Sequence, residues 1–138
     1  MIRLSKRTDY GLMAIRHLAL LPAGACRSAR EIAREHHIPL ALMAKLLQRM
    51  ARRGLVASHH GTKGGYQIAR APSSISLREI IEAIEGPMAV VECLDPCKPE
   101  CGQDATCTVK APLHQVQRRI IEMLGRTTVT DLTETGRQ

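Results

Sequence analysis

Seven residues, His59-His60-Gly61-Thr62-Lys63-Gly64-Gly65, do most to limit the folds open to this 138-residue chain. They form a glycine-rich, basic loop between two short β-type stretches, residues 55–58 and 66–69. Glycine supplies the backbone conformations that a tight hairpin turn needs. Upstream, three segments repeat at helical spacing. Ser5 can cap a helix running to about residue 21, with Tyr10, Met13, Ala14, His17, Leu18 and Leu21 along one side. Ser28 and Glu31 have the spacing of a capping box for a helix over 29–36. Pro39 suits the first turn of a third helix, whose inner face is Leu40, Met43, Leu46, Leu47 and Met50 and whose stop is Gly54. Three helices followed by a basic hairpin is the order of a winged helix-turn-helix domain. The expected class is mainly α with one small β-hairpin.

The rest of the chain is helical with one interruption. Pro72-Ser73-Ser74 reads as a linker, and Ser76 with Glu79 forms a second capping box for a helix through Glu85, ended by Gly86-Pro87. Residues 88–108 have loop composition. A long helix is expected over about 112–124 and a short one over 129–134. The division is therefore residues 1–72, a winged helix-turn-helix DNA-binding domain, and residues 73–138, a cysteine loop with dimerisation helices. Leu113, Val116, Ile120 and Met123 or Leu124 make a stripe that fits a helix–helix seam between two copies. The same stripe equally fits packing within one chain.

Charge follows the same division. Residues 1–70 hold 13 Lys/Arg against 3 Asp/Glu, net +10, whereas residues 71–138 hold 7 against 10, net −3. A basic half joined to a mildly acidic one points to a polyanion as partner of the first. Of the three leading helices only the third is short, basic and isolated enough to enter a major groove, with Lys45, Gln48, Arg49, Arg52 and Arg53 on its outer face. Lys63, flanked by glycines, can approach a phosphate backbone closely. With two Tyr and neither Phe nor Trp, the core must be aliphatic, and stacking of single-stranded bases is disfavoured. Double-stranded DNA is the expected partner, with no membrane and no small-molecule substrate. No apolar run is long enough to span a bilayer, and the N-terminus has no signal-peptide core, so the chain reads as cytoplasmic. Enzyme signatures are missing: there is no paired-carboxylate motif, no phosphate loop after a strand and no nucleophile–base arrangement.

Cysteines segregate the other way. Cys26 stands alone, while Cys93, Cys97, Cys101 and Cys107 fall within 15 residues. In a reducing compartment such a cluster is metal-binding or redox-active more often than a disulfide framework. Thiolates on one loop can converge on iron–sulfur irons or on a zinc ion. The spacing fits a two-knuckle zinc site poorly, and a reversible thiol switch without metal stays open.

Several of these residues resemble the IscR/NsrR/RirA family of bacterial winged-helix iron–sulfur regulators. They are Ser5-Lys6-Arg7-Thr8-Asp9-Tyr10, Leu46-Leu47 leading to Gly54-Leu55-Val56, Gly64-Gly65-Tyr66, and Ser76-Leu77 leading to Ile80-Ile81-Glu82-Ala83. The gaps from Cys93 to Cys101 and from Cys101 to Cys107 look like those of its RirA-like and SUF-regulator-like branches. The resemblance implies a homodimer on a near-palindromic operator, with an iron–sulfur cluster (2Fe–2S ahead of 4Fe–4S) tuning DNA affinity. It implies Cys93, Cys101 and Cys107 as ligands, residues 39–53 as recognition helix and 60–65 as wing. Some members place a histidine ligand where this chain has Lys110. Asp9, at a position that donates a carboxylate across the dimer in the nitric-oxide-sensing branch, is the first candidate for a fourth ligand, followed by Cys97, with His114 behind them. Lys6, Arg7, Leu42, Lys45, Arg49, His60, Thr62 and Lys63 are the expected DNA-contacting residues. The wing has His60 where several relatives have arginine, and the recognition helix has Leu42, Ala44 and Lys45 where one branch has Tyr, Glu and Gln.

The leading expectation is thus a transcriptional regulator that senses cluster, iron or redox status and controls genes of cluster assembly or iron homeostasis. Cluster assembly would order residues 92–108 and shift the helix over 77–85 and the wing. Two alternatives are a metal-free thiol switch or zinc-containing repressor, and an iron–sulfur carrier whose basic face is incidental.

Overall fold

The computed structural model describes residues 4–62, 64–89 and 107–134. Lys63, Cys93, Cys97 and Cys101 lie outside the described residues. Helix α1 (Lys6–Ala19) starts at Ser5, whose Oγ accepts from Thr8 N at 3.2 Å, and ends slightly short of the expected stop. Helix α2 (Ala29–His36) carries both halves of its capping box: Glu31 N donates to Ser28 Oγ at 3.1 Å and Ser28 N donates to Glu31 Oε1 at 3.2 Å. It stops at His37, which takes a left-handed conformation with φ 56°. Two residues later Pro39 opens α3 (Leu40–Arg52).

Strands β1 (Val56–His59) and β2 (Gly65–Ile68) pair antiparallel, Val56 opposite Ile68 and His59 opposite Gly65. Each strand is displaced by one residue from its sequence expectation. At the open end of the hairpin Leu55 is buried and donates its N–H to Met50 O at 3.0 Å, closing α3, while its carbonyl accepts from Ala69 N at 3.1 Å. Tyr66 also exchanges two backbone hydrogen bonds with Arg27, at 2.7 and 2.9 Å, tying the hairpin to the segment before α2. Only glycine fits at position 65 there, since a Cβ would lie 2.6 Å from the Arg27 carbonyl.

Residues 72–74, expected as a linker, form a 3-10 turn ahead of α4 (Leu77–Glu85). Helix α5 (Lys110–Arg126) is longer at both ends than expected, and α6 (Val129–Glu134) follows. Pro112 is tolerated because it sits in the first turn of α5, where backbone N–H groups have no intrahelical acceptor.

One aliphatic core unites these elements. Ile15, Leu18, Ile32, Met43, Leu46, Leu47, Met50 and Leu55 are joined by Ile75, Ile80, Ile84 and Val129 from beyond residue 72. Helix α5 contributes no buried residue; Val116 and Met123 on it, and Val109 just before it, stand exposed. Among the described residues no helix is long and apolar enough to cross a membrane.

Candidate nucleic-acid interface and cysteine site

The face of α3 is set by what the helix buries. Met43, Leu46, Leu47 and Met50 point into the core, so a 3.6-residue period turns Ala41, Lys45, Gln48 and Arg52 to the opposite side. Lys45, Gln48 and Arg52 are exposed. Two other expected DNA contacts on this helix, Leu42 and the exposed Arg49, have partners within the chain. Leu42 is half-buried and packs against the core. Arg49 lies on the flank facing α4, where its Nη1 donates to the Ile84 carbonyl at 2.7 Å. Lys6 and Arg7 are exposed at the start of α1, with Lys6 Nζ 5.9 Å from the Tyr10 ring centroid. His60 and Thr62 are exposed in the hairpin loop. Thr62 and Gly64 line an open cleft of ≈ 450 Å³ with Cys26, Arg27 and Glu31, so the wing leans on the approach to α2.

The C-terminal end of α4 brings the scattered basic elements together. Glu85 accepts from Thr8 Oγ1 at 3.0 Å and also from Ser5 Oγ, which fastens it to the N-terminus of α1. A carboxylate is favoured there by the unpaired N–H groups and dipole of that helix end. Thr8 is buried. The adjacent residue, Ile84, receives Arg49, and Arg49, Arg52 and Arg53 line an open cleft of ≈ 380 Å³ with residues 82–86. Sequence reading missed this junction, because neither Arg49 nor Glu85 belongs to a local motif.

Cys107 is half-buried and free of any disulfide. With Thr108, Lys110, Ala111 and His114 it lines a cavity of ≈ 330 Å³ at the head of α5. Asp9 is exposed in the first turn of α1. Among the described residues no three His, Cys, Asp or Glu side chains gather at metal-ligand spacing. The accessible thiol of Cys107 matches the donor chemistry of an iron–sulfur site, whose other expected thiolates lie in the segment just before it.

Comparison with known proteins decides the family. A family model described as "Rrf2: Iron-dependent Transcriptional regulator" matches residues 4–135. The chain belongs to the Rrf2 family. As an Rrf2 protein it is a DNA-binding transcriptional regulator with a winged-helix fold and not an enzyme, and the iron–sulfur carrier reading falls with that assignment. It is 28% identical over 131 residues to the HTH-type transcriptional regulator NsrR of Shouchella clausii, covering 95% of this chain and 88% of the relative. Among solved structures it resembles CymR, the global cysteine regulator of B. subtilis, with TM-score 0.78, 27% identity and 98% coverage of both chains. It also resembles T. potens IscR, with TM-score 0.75 and 25% identity, covering 98% of this chain and 88% of that one.

Proposed function

We propose that this Rrf2 regulator binds a near-palindromic operator as a homodimer and senses iron–sulfur cluster, iron or redox status through a cysteine-ligated cluster. Its targets would be genes of cluster assembly or iron homeostasis. The observation that carries the reading is one of placement. Four cysteines fall within 15 residues, and the chain enters that segment directly from the end of α4, the point bonded to α1 and α3. A change in the segment therefore acts first on the helix end that holds the DNA-facing elements.

Cys93, Cys101 and Cys107 are the proposed thiolate ligands, with Asp9 offered across the dimer, or Cys97, as the fourth. A bound cluster, 2Fe–2S ahead of 4Fe–4S, would supply a site that oxidants, nitric oxide or iron shortage can dismantle. The residues of this chain do the remaining work. Gln48 and Arg52 meet the major groove, Lys45 beside them meets the phosphates at its edge, and Lys6, Arg7, His60, Thr62 and Lys63 hold the flanking backbone. Residues 1–72 form the DNA-binding unit and residues 73–138 the sensing and dimerisation part. The unburied apolar side of α5, with Val116 45% and Met123 57% exposed, suits a seam with a second copy.

Oxygen-free purification followed by iron, sulfide and zinc analysis tests the cluster. Iron with matching sulfide and a broad visible band near roughly 400 nm supports it. Zinc alone, or no metal after attempted reconstitution, removes it. A metal-free thiol switch is the second reading, favoured by the likeness to a cysteine regulator of known structure.

A further inference from the structure

Helix α4 ends awkwardly when taken by itself. Its last turn contains no basic residue, and two carboxylates, Glu82 and Glu85, sit at the end where the helix dipole is negative. Gly86 bonds back to the Glu82 carbonyl at 3.0 Å, but the Ile84 carbonyl lies within the last four residues, where no intrahelical donor remains. Both defects are repaired from outside the helix. Arg49 of α3 donates a charged hydrogen bond to the Ile84 carbonyl at 2.7 Å, and Ser5 and Thr8 of α1 take up the Glu85 carboxylate. Gly11 keeps the α1–α4 approach close, since a Cβ there would run into Ile84 Cδ1. Three helices thus meet at two adjacent residues, and two of those helices bear the DNA-facing cations Lys6, Arg7, Lys45 and Arg52.

We propose that Arg49 is a positioning residue for DNA binding: by capping α4 in trans, opposite the Glu85–Thr8 bond, it fixes the recognition helix against the N-terminus of α1 and does not itself touch DNA. The clamp consists of the Arg49, Ser5, Thr8 and Glu85 side chains and the Ile84 carbonyl. It acts whether the cysteine segment holds a cluster or a thiol pair, so it survives failure of the cluster reading and rests only on the regulator being a DNA-binding one.

The test uses the full-length protein and a duplex recovered by in vitro selection with the unmodified chain, and follows Kd by anisotropy across a salt series. Lys45→Met serves as the phosphate-facing reference and should lower the salt slope by about one. Arg49→Met should weaken binding about ten-fold or more with the slope unchanged, and Arg49→Lys should recover part of that loss. Thr8→Val, at a buried side chain that cannot itself reach DNA, should weaken binding several-fold at unchanged slope. The double variant Arg49→Met/Thr8→Val should lose less than the product of the two single effects, because both act on one clamp. If Arg49→Met lowers the slope by about one, as Lys45→Met does, Arg49 is a phosphate contact and the proposal is wrong. Unchanged affinity in Thr8→Val also overturns it. Where Arg49→Met fails to fold, Thr8→Val and Arg49→Lys decide the matter by the same two readouts.

Discussion

His17 Nδ1 lies 3.1 Å from His36 Nε2, so two imidazoles share one hydrogen bond across the α1–α2 contact. The rings meet edge to face, with centroids 5.2 Å apart. Glu35 Oε2 stands 3.7 Å from the same His17 nitrogen, while His17 Nε2 is buried without a partner among the described residues.

That pair makes stability depend on pH. Burial holds His17 below its ordinary value of 6.5; Glu35 opposes the shift, His36 and Arg27 reinforce it, and Glu31 opposes it weakly. Since the folded pKa is lowered, the unfolded chain binds the proton first. The contribution is complete above the unfolded value and is lost as pH falls through the folded one. Urea unfolding should show a midpoint that drops between about pH 7.5 and about pH 5.5, and a His17→Leu variant should show a flatter dependence. Equal slopes for the two proteins would rule His17 out as the group responsible.

The second capping box is expected to matter for the sensing half. Glu79 Oε2 accepts from Ser76 N at 3.0 Å and from Arg70 Nη2 at 2.9 Å. The Arg70 guanidinium, and after it Ser76, keeps the Glu79 carboxyl below the usual range. Ser76→Ala should cost about 1 kcal/mol, read as a lower urea midpoint with unchanged slope. A neutral result would mean that Arg70 alone holds the helix start.

Fold legibility tracked how local each cause was. The Ser28/Glu31 and Ser76/Glu79 boxes and the turn glycines act within a few residues, so α2, α4, α6 and the hairpin could be read from sequence nearly at their true limits. The strand limits moved by one residue toward the turn while the pairing kept the register of the expected strands, Val56 opposite Ile68, because Leu55 is claimed by the core and by Met50, a preference that alternation does not encode. Lys45 and Gln48 were legible as outward-facing residues from the 3.6-residue period. Arg49 was not legible as an α4 partner, since its acceptor is a backbone carbonyl 35 residues away. Glu85 hides for the same reason: its partners Ser5 and Thr8 lie at the far end of the DNA-binding unit.

On the open face of α3, the two neighbours Lys45 and Gln48 should separate by role. Gln48→Ala is expected to cost about 1–3 kcal/mol on the selected duplex and to relax preference at one base pair, whereas Lys45→Ala should weaken all sequences alike. Binding measured on a panel of single-base variants distinguishes the two. Uniform weakening by Gln48→Ala would assign that residue to the backbone.

Within the core, Leu47 has no exposed surface. Leu47→Ala should therefore destabilise by about 2–5 kcal/mol, measured by denaturant unfolding. A loss well under this range would show that the aliphatic side chains around it collapse into the space.

The seam on α5 can be tested by charge. Val116→Glu together with Met123→Glu should convert a dimer to monomer in light scattering after size-exclusion chromatography, and should lower operator affinity because two half-sites are no longer joined. A variant that remains dimeric would place the subunit contact on another surface.

Cluster-linked DNA affinity is the central claim, and one comparison reaches it directly. Kd for the selected duplex should be measured without oxygen on iron- and sulfide-reconstituted protein and on a Cys101→Ala variant treated identically. The expected result is a difference of about 5–150-fold, a coupling of about 1–3 kcal/mol between the cysteine site and the DNA face. Equal affinities, with the cluster confirmed in the parent and absent in the variant, would contradict it.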